Sequence, residues 1–213
     1  MNRQHALQGL YAITDSSLCP DNSLVGQVAQ ALHGGCRIVQ YRDKRLDKAE
    51  KLSLAKQLMD LCKHHLALLI INDDVNLAKS VGANGVHLGR EDADLSHARI
   101  QLGEAAIIGI SCYNRLDLAH KAAQAGADYV AFGRFFPSLT KPHAIQATPE
   151  LLRQAKTTLN LPLVAIGGIT PENGAPLIEA GADMLAVVHG IFGQPDIRAA
   201  CQKLTTLFEP KEN

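Results

Sequence analysis

Tryptophan is absent from the sequence and aromatic residues make up only 4% of it, so any core the chain builds must be largely aliphatic. That favours an α/β architecture over a β-sandwich packed on aromatic rings. Net charge is missing as well, because 21 Lys and Arg offset 21 Asp and Glu. Bulk charge therefore gives no sign of a polyanion-binding surface, and nucleic acid is not an expected partner. The five cysteines, Cys19, Cys36, Cys62, Cys112 and Cys201, are odd in number and widely spaced, and form neither a CxxC pair nor a Cys/His cluster. Reduced thiols in a cytoplasmic protein are the expectation. No apolar run approaches the length needed to span a bilayer, and "MNRQHALQGLYAIT" lacks the apolar stretch of a signal peptide, so no membrane partner is expected either.

What the sequence does contain is a regular alternation. Apolar, β-branched runs occur at Gly9 to Thr14, Ile38 to Tyr41, Leu66 to Ile71, Gly85 to Leu88, Ile107 to Ser111, Tyr129 to Phe132, Leu163 to Ile166 and Met184 to Val188. Helical patterns lie between them, for example Leu24 to Leu32, Lys48 to Lys63, Leu116 to Gln124 and Pro149 to Thr158. A glycine turn recurs as "VGANGV" from Val81, "AGADYV" from Ala125 and "AGADML" from Ala180, with a looser version, "HGGCRIV", from His33. Each copy reads as a helix whose glycine C-cap leads straight into a buried strand. The spacing, roughly 45 to 55 residues, corresponds to about two βα units of a quasi-symmetric barrel. A doubly wound open sheet also repeats βα units, so the motif by itself does not settle closure. Eight strands without a linker or a change of composition predict one α/β domain over residues 1–213, a single (β/α)8 TIM barrel, with a tail fraying after about residue 208.

In such a barrel the chemistry sits at the carboxyl ends of the strands. The second run ends in "VQYRDK", where Gln40, Arg42 and Lys44 alternate and so share one side of an extended chain. The third ends abruptly in Asn72, Asp73 and Asp74, and helix capping by Asp73 or Asp74 competes there with a role in the mouth. After the fourth come Glu91, Asp92 and Asp94, while His87 within it reads as a satisfied core or mouth histidine, having no second ligand at metal spacing. The fifth ends at Ser111. After the sixth, Ser138, Thr140 and Lys141 make a hydroxyl-x-hydroxyl-Lys cluster suited to an anion. "AIGGIT" and "VVHGIFG" close the seventh and eighth strands, and such glycines let backbone N–H groups approach a phosphate. The strand ends thus offer oxygen donors suited to magnesium, Asp73 and Asp92, beside the cations Arg42, Lys44 and Lys141, and opposite them bare backbone donors. The first set suits a pyrophosphate and the second a monophosphate.

Taken in order, "LYAITD", "VQYRDK", "INDDVNLA", "GANGVHLGRED", "IIGIS", "GADYVAFGRFFPSLTK" and "AIGGI" resemble the thiamine-phosphate synthase family along nearly the whole chain. The resemblance implies a transferase with two small phosphorylated substrates. It would condense 4-amino-5-hydroxymethyl-2-methylpyrimidine pyrophosphate with hydroxyethylthiazole phosphate, with Mg2+ as cofactor, releasing pyrophosphate. By position it implies Asp73 and Asp92 as magnesium ligands. Arg42, Lys44, Asn72, Ser138, Thr140 and Lys141 would contact pyrophosphate, and Gln40 the pyrimidine. Ser111 and Lys141 would stand at the bond that breaks. Gly168, helped by Val188 and His189, would hold the thiazole phosphate.

The sequence departs from the family pattern at Asp74, where many relatives have Arg, at Arg90, where Gln is usual, at Ser138, which replaces Thr, and at His189, where a small hydroxyl residue is common. The related thiazole tautomerase is the nearest alternative. It has His at the position of Arg134, and the retained Asp73, Asp92 and Lys141 argue against it. A non-catalytic regulatory barrel that binds thiamine intermediates is a second alternative, and the sequence leaves oligomeric state open, a homo-oligomer included.

Overall fold

The computed structural model describes residues 6–89, 95–137 and 145–209. Eight strands, β1 (Gly9–Ile13), β2 (Ile38–Tyr41), β3 (Leu68–Asn72), β4 (Gly85–Leu88), β5 (Ile107–Tyr113), β6 (Tyr129–Gly133), β7 (Leu163–Ile166) and β8 (Met184–Val187), close into a barrel in chain order. Closure is direct: β1 runs parallel to β8 in register from Gly9 opposite Met184 to Ala12 opposite Val187. This excludes the open sheet.

Helices cover the outside: α1 (Asp21–His33), α2 (Lys48–His64), α3 (Val75–Val81), α4 (Leu95–Leu102), α5 (Leu116–Gln124), α6 (Pro149–Thr158), α7 (Ala175–Glu179), α8 (His189–Phe192) and α9 (Ile197–Thr205). A 3₁₀ turn over Thr206–Phe208 follows α9, and the rest of the expected tail beyond Glu209 lies outside the described residues.

Strand parity sorts the core. Tyr11, Ile13, Ile38, Ile70, Ile107, Tyr129, Ala131, Val164, Met184 and Ala186 form one cluster inside the barrel. Their chain neighbours, such as Leu10, Val39, Leu69, Val130 and Leu185, join the larger cluster between strands and helices. Successive strand residues face opposite ways, so an inward Ile38 fixes an inward Gln40, and an inward Ile70 fixes an inward Asn72. Space inside is made by glycine at one decisive position. A Cβ on Gly109 would lie 1.9 Å from the Tyr129 ring, so only a bare backbone there lets that ring cross the barrel.

The repeated turn has a function beyond its glycine. Gly82, Gly126 and Gly181 take φ of 64°, 90° and 110°, as a left-handed cap requires. The Asn or Asp two residues later then reaches across to the preceding strand. Asn84 Oδ1 accepts from the Leu69 N–H, Asp128 Oδ2 from Ile108 and Asp183 Oδ2 from Leu163, each at 2.8 Å. The motif therefore stitches β4 to β3, β6 to β5 and β8 to β7 at the end of the barrel away from the mouth. Its two-unit period follows from that pairing.

Five strands, β1, β3, β5, β6 and β8, depart from their expected limits by one or two residues, and the start of β3 has a clear cause. β3 starts at Leu68, whereas Leu66 is 91% exposed with φ of 53°. Leu66 occupies a left-handed turn of the kind usually given to glycine, and its apolar side chain makes it look like strand.

Candidate active site

A cavity of about 350 Å³ opens at the carboxyl ends of the strands. Its lining divides by side. From β2 to β5 come polar side chains: Gln40, Arg42, Asn72, His87 and Ser111. From β6 to β8 and their loops come Gly133, Gly167, Gly168 and Gly190, together with the side chains of Arg134, Thr170, Val188, His189 and Gln194.

Arg42, one residue past the end of β2, pairs with Asp15 at 3.2 Å, and its N–H is held by Thr14 Oγ1 at 2.9 Å. Burial alone would raise the Asp15 carboxyl. Hydrogen bonds from Ser17 and the Arg42 and Arg45 guanidinium groups outweigh it and hold the carboxyl below its usual range. The expected alternation of Gln40, Arg42 and Lys44 stops with the strand. β2 ends at Tyr41, so Gln40 and Arg42 line the cavity while Lys44 is exposed and does not.

The run Asn72, Asp73, Asp74 resolves into three roles. Asn72 ends β3 and lines the cavity. Asp74 is the cap of α3, its Oδ1 accepting from the Leu77 N–H at 2.8 Å. Asp73 lies between them with φ of 62°, its N–H donating to the His87 carbonyl at 2.9 Å and its Oδ2 accepting from Asn72 Nδ2 at 2.5 Å. Because the neighbouring residue does the capping, the Asp73 carboxylate stays at the rim beside Asn72, although it is not among the residues that line the cavity. Asp92, Ser138, Thr140 and Lys141 lie outside the described residues.

His87 is 9% exposed and both its ring nitrogens are engaged, Nδ1 with Tyr129 Oη at 2.9 Å and Nε2 with Ser111 Oγ at 2.8 Å. It is a satisfied histidine at the cavity floor. Tyr11 and Tyr129 carry no motif in the sequence, yet their hydroxyls meet at 2.9 Å and Gln40 Nε2 donates to Tyr11 Oη at 2.7 Å. Burial pushes both phenol pKa values up, so both stay protonated at neutral pH.

Opposite, the loop after β7 turns on Gly167 and Gly168, with φ of 106° and 64°. Asn173 pins it, accepting from the Thr170 N–H at 2.8 Å and donating to the Gly168 carbonyl at 3.0 Å. A Cβ on Gly168 would lie 2.3 Å from the Pro137 carbonyl oxygen, which is why the approach of the β6 and β7 loops demands glycine there. Val188 caps α8, and with His189 and Gly190 it completes this wall.

A closed parallel barrel whose inward polar residues gather at the carboxyl ends of its strands defines a (β/α)8-barrel protein with a small-molecule site in its mouth. Residues 10–191 match the family described as thiamine monophosphate synthase, and the chain belongs to that family. It is 55% identical to the thiamine-phosphate synthase of Nitrosococcus oceani over 92% of this chain and 90% of that one. To the enzyme of Thiobacillus denitrificans it is 52% identical over 96% and 97%. Among solved structures, the thiamine phosphate pyrophosphorylase from Pyrococcus furiosus superposes with a TM-score of 0.87 at 35% identity, over 97% of each chain. A 3-hexulose-6-phosphate synthase, with a TM-score of 0.73 at 17% identity, shares the fold. The chain is thus an enzyme of thiamine biosynthesis, a transferase.

Proposed function

We propose that the mouth holds two substrates at once, the aminopyrimidine pyrophosphate against β2 to β5 and the thiazole phosphate against the loops of β7 and β8. The observation that carries this reading is one cavity lined on the β2–β5 side by Gln40, Arg42, Asn72, His87 and Ser111 and on the β6–β8 side by a cluster of glycines, Gly133, Gly167, Gly168 and Gly190, whose backbone is open to a phosphate. Its size is within the range of small-molecule sites.

The reaction breaks the bond between the pyrimidine methylene carbon and the pyrophosphate oxygen, the electron pair leaving with the oxygen. The thiazole nitrogen then supplies the pair for the new carbon–nitrogen bond. Negative charge grows on the leaving group and positive charge on a carbon that the aminopyrimidine ring delocalises. No protein nucleophile is required. Gln40 holds the pyrimidine, while Arg42 and Asn72 orient the pyrophosphate, with Ser138, Thr140 and Lys141 as further contacts and Lys141 as the ammonium facing the departing charge. Ser111 donates at the bond that breaks. Gly168, Val188 and His189 hold the thiazole phosphate, and holding both reactants in one mouth supplies proximity.

Asp73 and Asp92 would hold Mg2+. The donor chemistry fits, since a rim carboxylate with a second acidic residue is the protein share magnesium takes when phosphates and water complete its shell. When bound, the ion stabilises charge on the leaving pyrophosphate. We place the enzyme in the cytoplasm with no nucleic-acid or membrane partner. All five thiols are free and buried, which suits a reducing compartment.

The test is to mix purified protein with both phosphorylated substrates, with and without magnesium. Magnesium-dependent appearance of thiamine phosphate and pyrophosphate in equal amounts is expected. Turnover unaffected by a chelator would remove the metal from this account.

A further inference from the structure

Five side chains from five strands form an unbroken line of hydrogen bonds across the barrel. Gln40 (β2) bonds to Tyr11 (β1), Tyr11 to Tyr129 (β6), Tyr129 to His87 (β4) and His87 to Ser111 (β5), at 2.7, 2.9, 2.9 and 2.8 Å. The two ends, Gln40 and Ser111, line the cavity. Proton counting constrains such a line. Each tyrosine hydroxyl has one proton to donate, and a neutral imidazole has one N–H. Where each buried hydroxyl spends its proton within the line and His87 is neutral, every inner member accepts on one side and donates on the other, which leaves two directions.

In one direction Gln40 Nε2 donates to Tyr11, Tyr11 to Tyr129 and Tyr129 to His87 Nδ1. His87 Nε2–H then donates to Ser111 Oγ. This leaves the Gln40 amide oxygen as an acceptor for a ligand and turns the Ser111 hydroxyl proton toward the cavity. In the other direction Ser111 donates to Nε2, every link reverses, and Gln40 offers its NH2 instead. Gln40 Nε2 on Tyr11 Oη matches the first direction at that link, and the other three links fit either.

We propose that Tyr11, Tyr129 and His87 are positioning residues that lock the polarity of the two cavity ends together, so that accepting a ligand amine at Gln40 obliges Ser111 to act as a donor. The proposal rests on the placement of the pyrimidine given above. There, the amine at Gln40 and the departing oxygen near Ser111 belong to the same substrate, and recognising the amine sets the donor that the leaving group needs. A 4-oxo analogue of the pyrimidine pyrophosphate presents a carbonyl where the substrate has an amine. It requires the Gln40 NH2, reverses the line and turns the Ser111 proton away from the leaving oxygen.

The experiment compares kcat for the 4-amino substrate and the 4-oxo analogue in the wild type and in Tyr129→Phe. Tyr11→Phe, which breaks the line one link earlier, serves as the second variant should the first fold poorly. Uncoupling the ends is expected to shrink the amino-over-oxo preference in kcat by at least about tenfold, the scale of losing one transition-state donor. A purely structural role would lower both rates together and leave the ratio unchanged, which overturns the proposal. A second readout needs no turnover. In ¹⁵N-histidine spectra, with His87 assigned by its loss in His87→Gln, His87 is expected as the Nε2–H tautomer, switching to Nδ1–H when the oxo analogue binds. An Nδ1–H tautomer in the free protein overturns the proposed direction. Gln40→Ala and Ser111→Ala that both handle the pyrimidine substrate normally would overturn the placement beneath the proposal, and the proposal with it.

Discussion

Asp73 and Asp74 are adjacent, carry the same charge, and do different work. Asp74 caps α3 through Leu77 N–H, so Asp74→Ala is expected to cost about 1 kcal/mol of stability in urea unfolding and to leave turnover close to wild type. Asp73→Asn keeps a residue type that tolerates the left-handed backbone and removes only the charge. Unfolding should be little changed while turnover falls about a hundredfold, the scale of losing preorganised charge at a reacting centre. The sequence showed two carboxylates at a strand end and could not apportion them, because capping depends on which carboxylate faces the first turn of the helix. Tyr11 and Tyr129 were illegible for a different reason. They are 118 positions apart, and each sits in an apolar strand where an aromatic reads as core. The available signal was parity, since both fall on the inward register that also carries Gln40 and Ser111. Asp15, the carboxylate immediately after the first apolar run, is likewise a strand-end residue, and its pairing with Arg42 joins two strands that no local spacing connects.

Among the elements, the strands were legible because each is a short apolar run bounded by turn residues, and three of them, β2, β4 and β7, match their predicted limits. The glycine repeat locates the helix-to-strand turns, whereas the task of the Asn or Asp two residues later is not legible in it. Its partner is a backbone N–H on another strand, and no local spacing encodes that. These stitches lie away from the mouth, which separates stability from catalysis. Asp128 Oδ2 accepts from Ile108 N–H and from Arg99 at 2.6 Å, and Asp183 accepts from Leu163 N–H and from Lys156 at 2.7 Å. Asp128→Ala and Asp183→Ala should each destabilise by about 1 to 3 kcal/mol, the cost of leaving a partly buried donor without its acceptor. KM for either substrate should not move. Urea midpoints together with steady-state kinetics check both halves, and a large KM change in either variant would mean that the far end of the barrel shapes the mouth.

For the whole molecule, an interior that keeps thiols and phenols neutral sets an alkaline limit. Burial pushes Cys19 and Cys36 up to about 11 and Cys62 and Cys112 up to about 12, and raises Tyr11 and Tyr129 as well. A group whose folded pKa is raised contributes stability that is fully present below its unfolded value and is lost as pH climbs toward the folded one. The unfolded values are about 8.5 for a thiol and about 10 for a phenol, so the urea midpoint should hold between pH 7 and 8 and then fall, more steeply beyond about pH 10. A flat profile to pH 10.5 would contradict the burial described. The fold as a whole was legible in the alternation of eight apolar runs with helical patterns. Closure was legible only in the count of eight strands without a linker, because the β1–β8 pairing joins the two ends of the chain and leaves no local mark.

The central claim is the division of labour across one mouth, and KM for each substrate measured separately in Asn72→Ala and Gly168→Ala tests it most directly. Asn72→Ala should raise KM for the pyrimidine pyrophosphate with little change for the thiazole phosphate, and Gly168→Ala should do the reverse. If both variants raise the two KM values by the same factor, the two walls do not bind different substrates and the account fails.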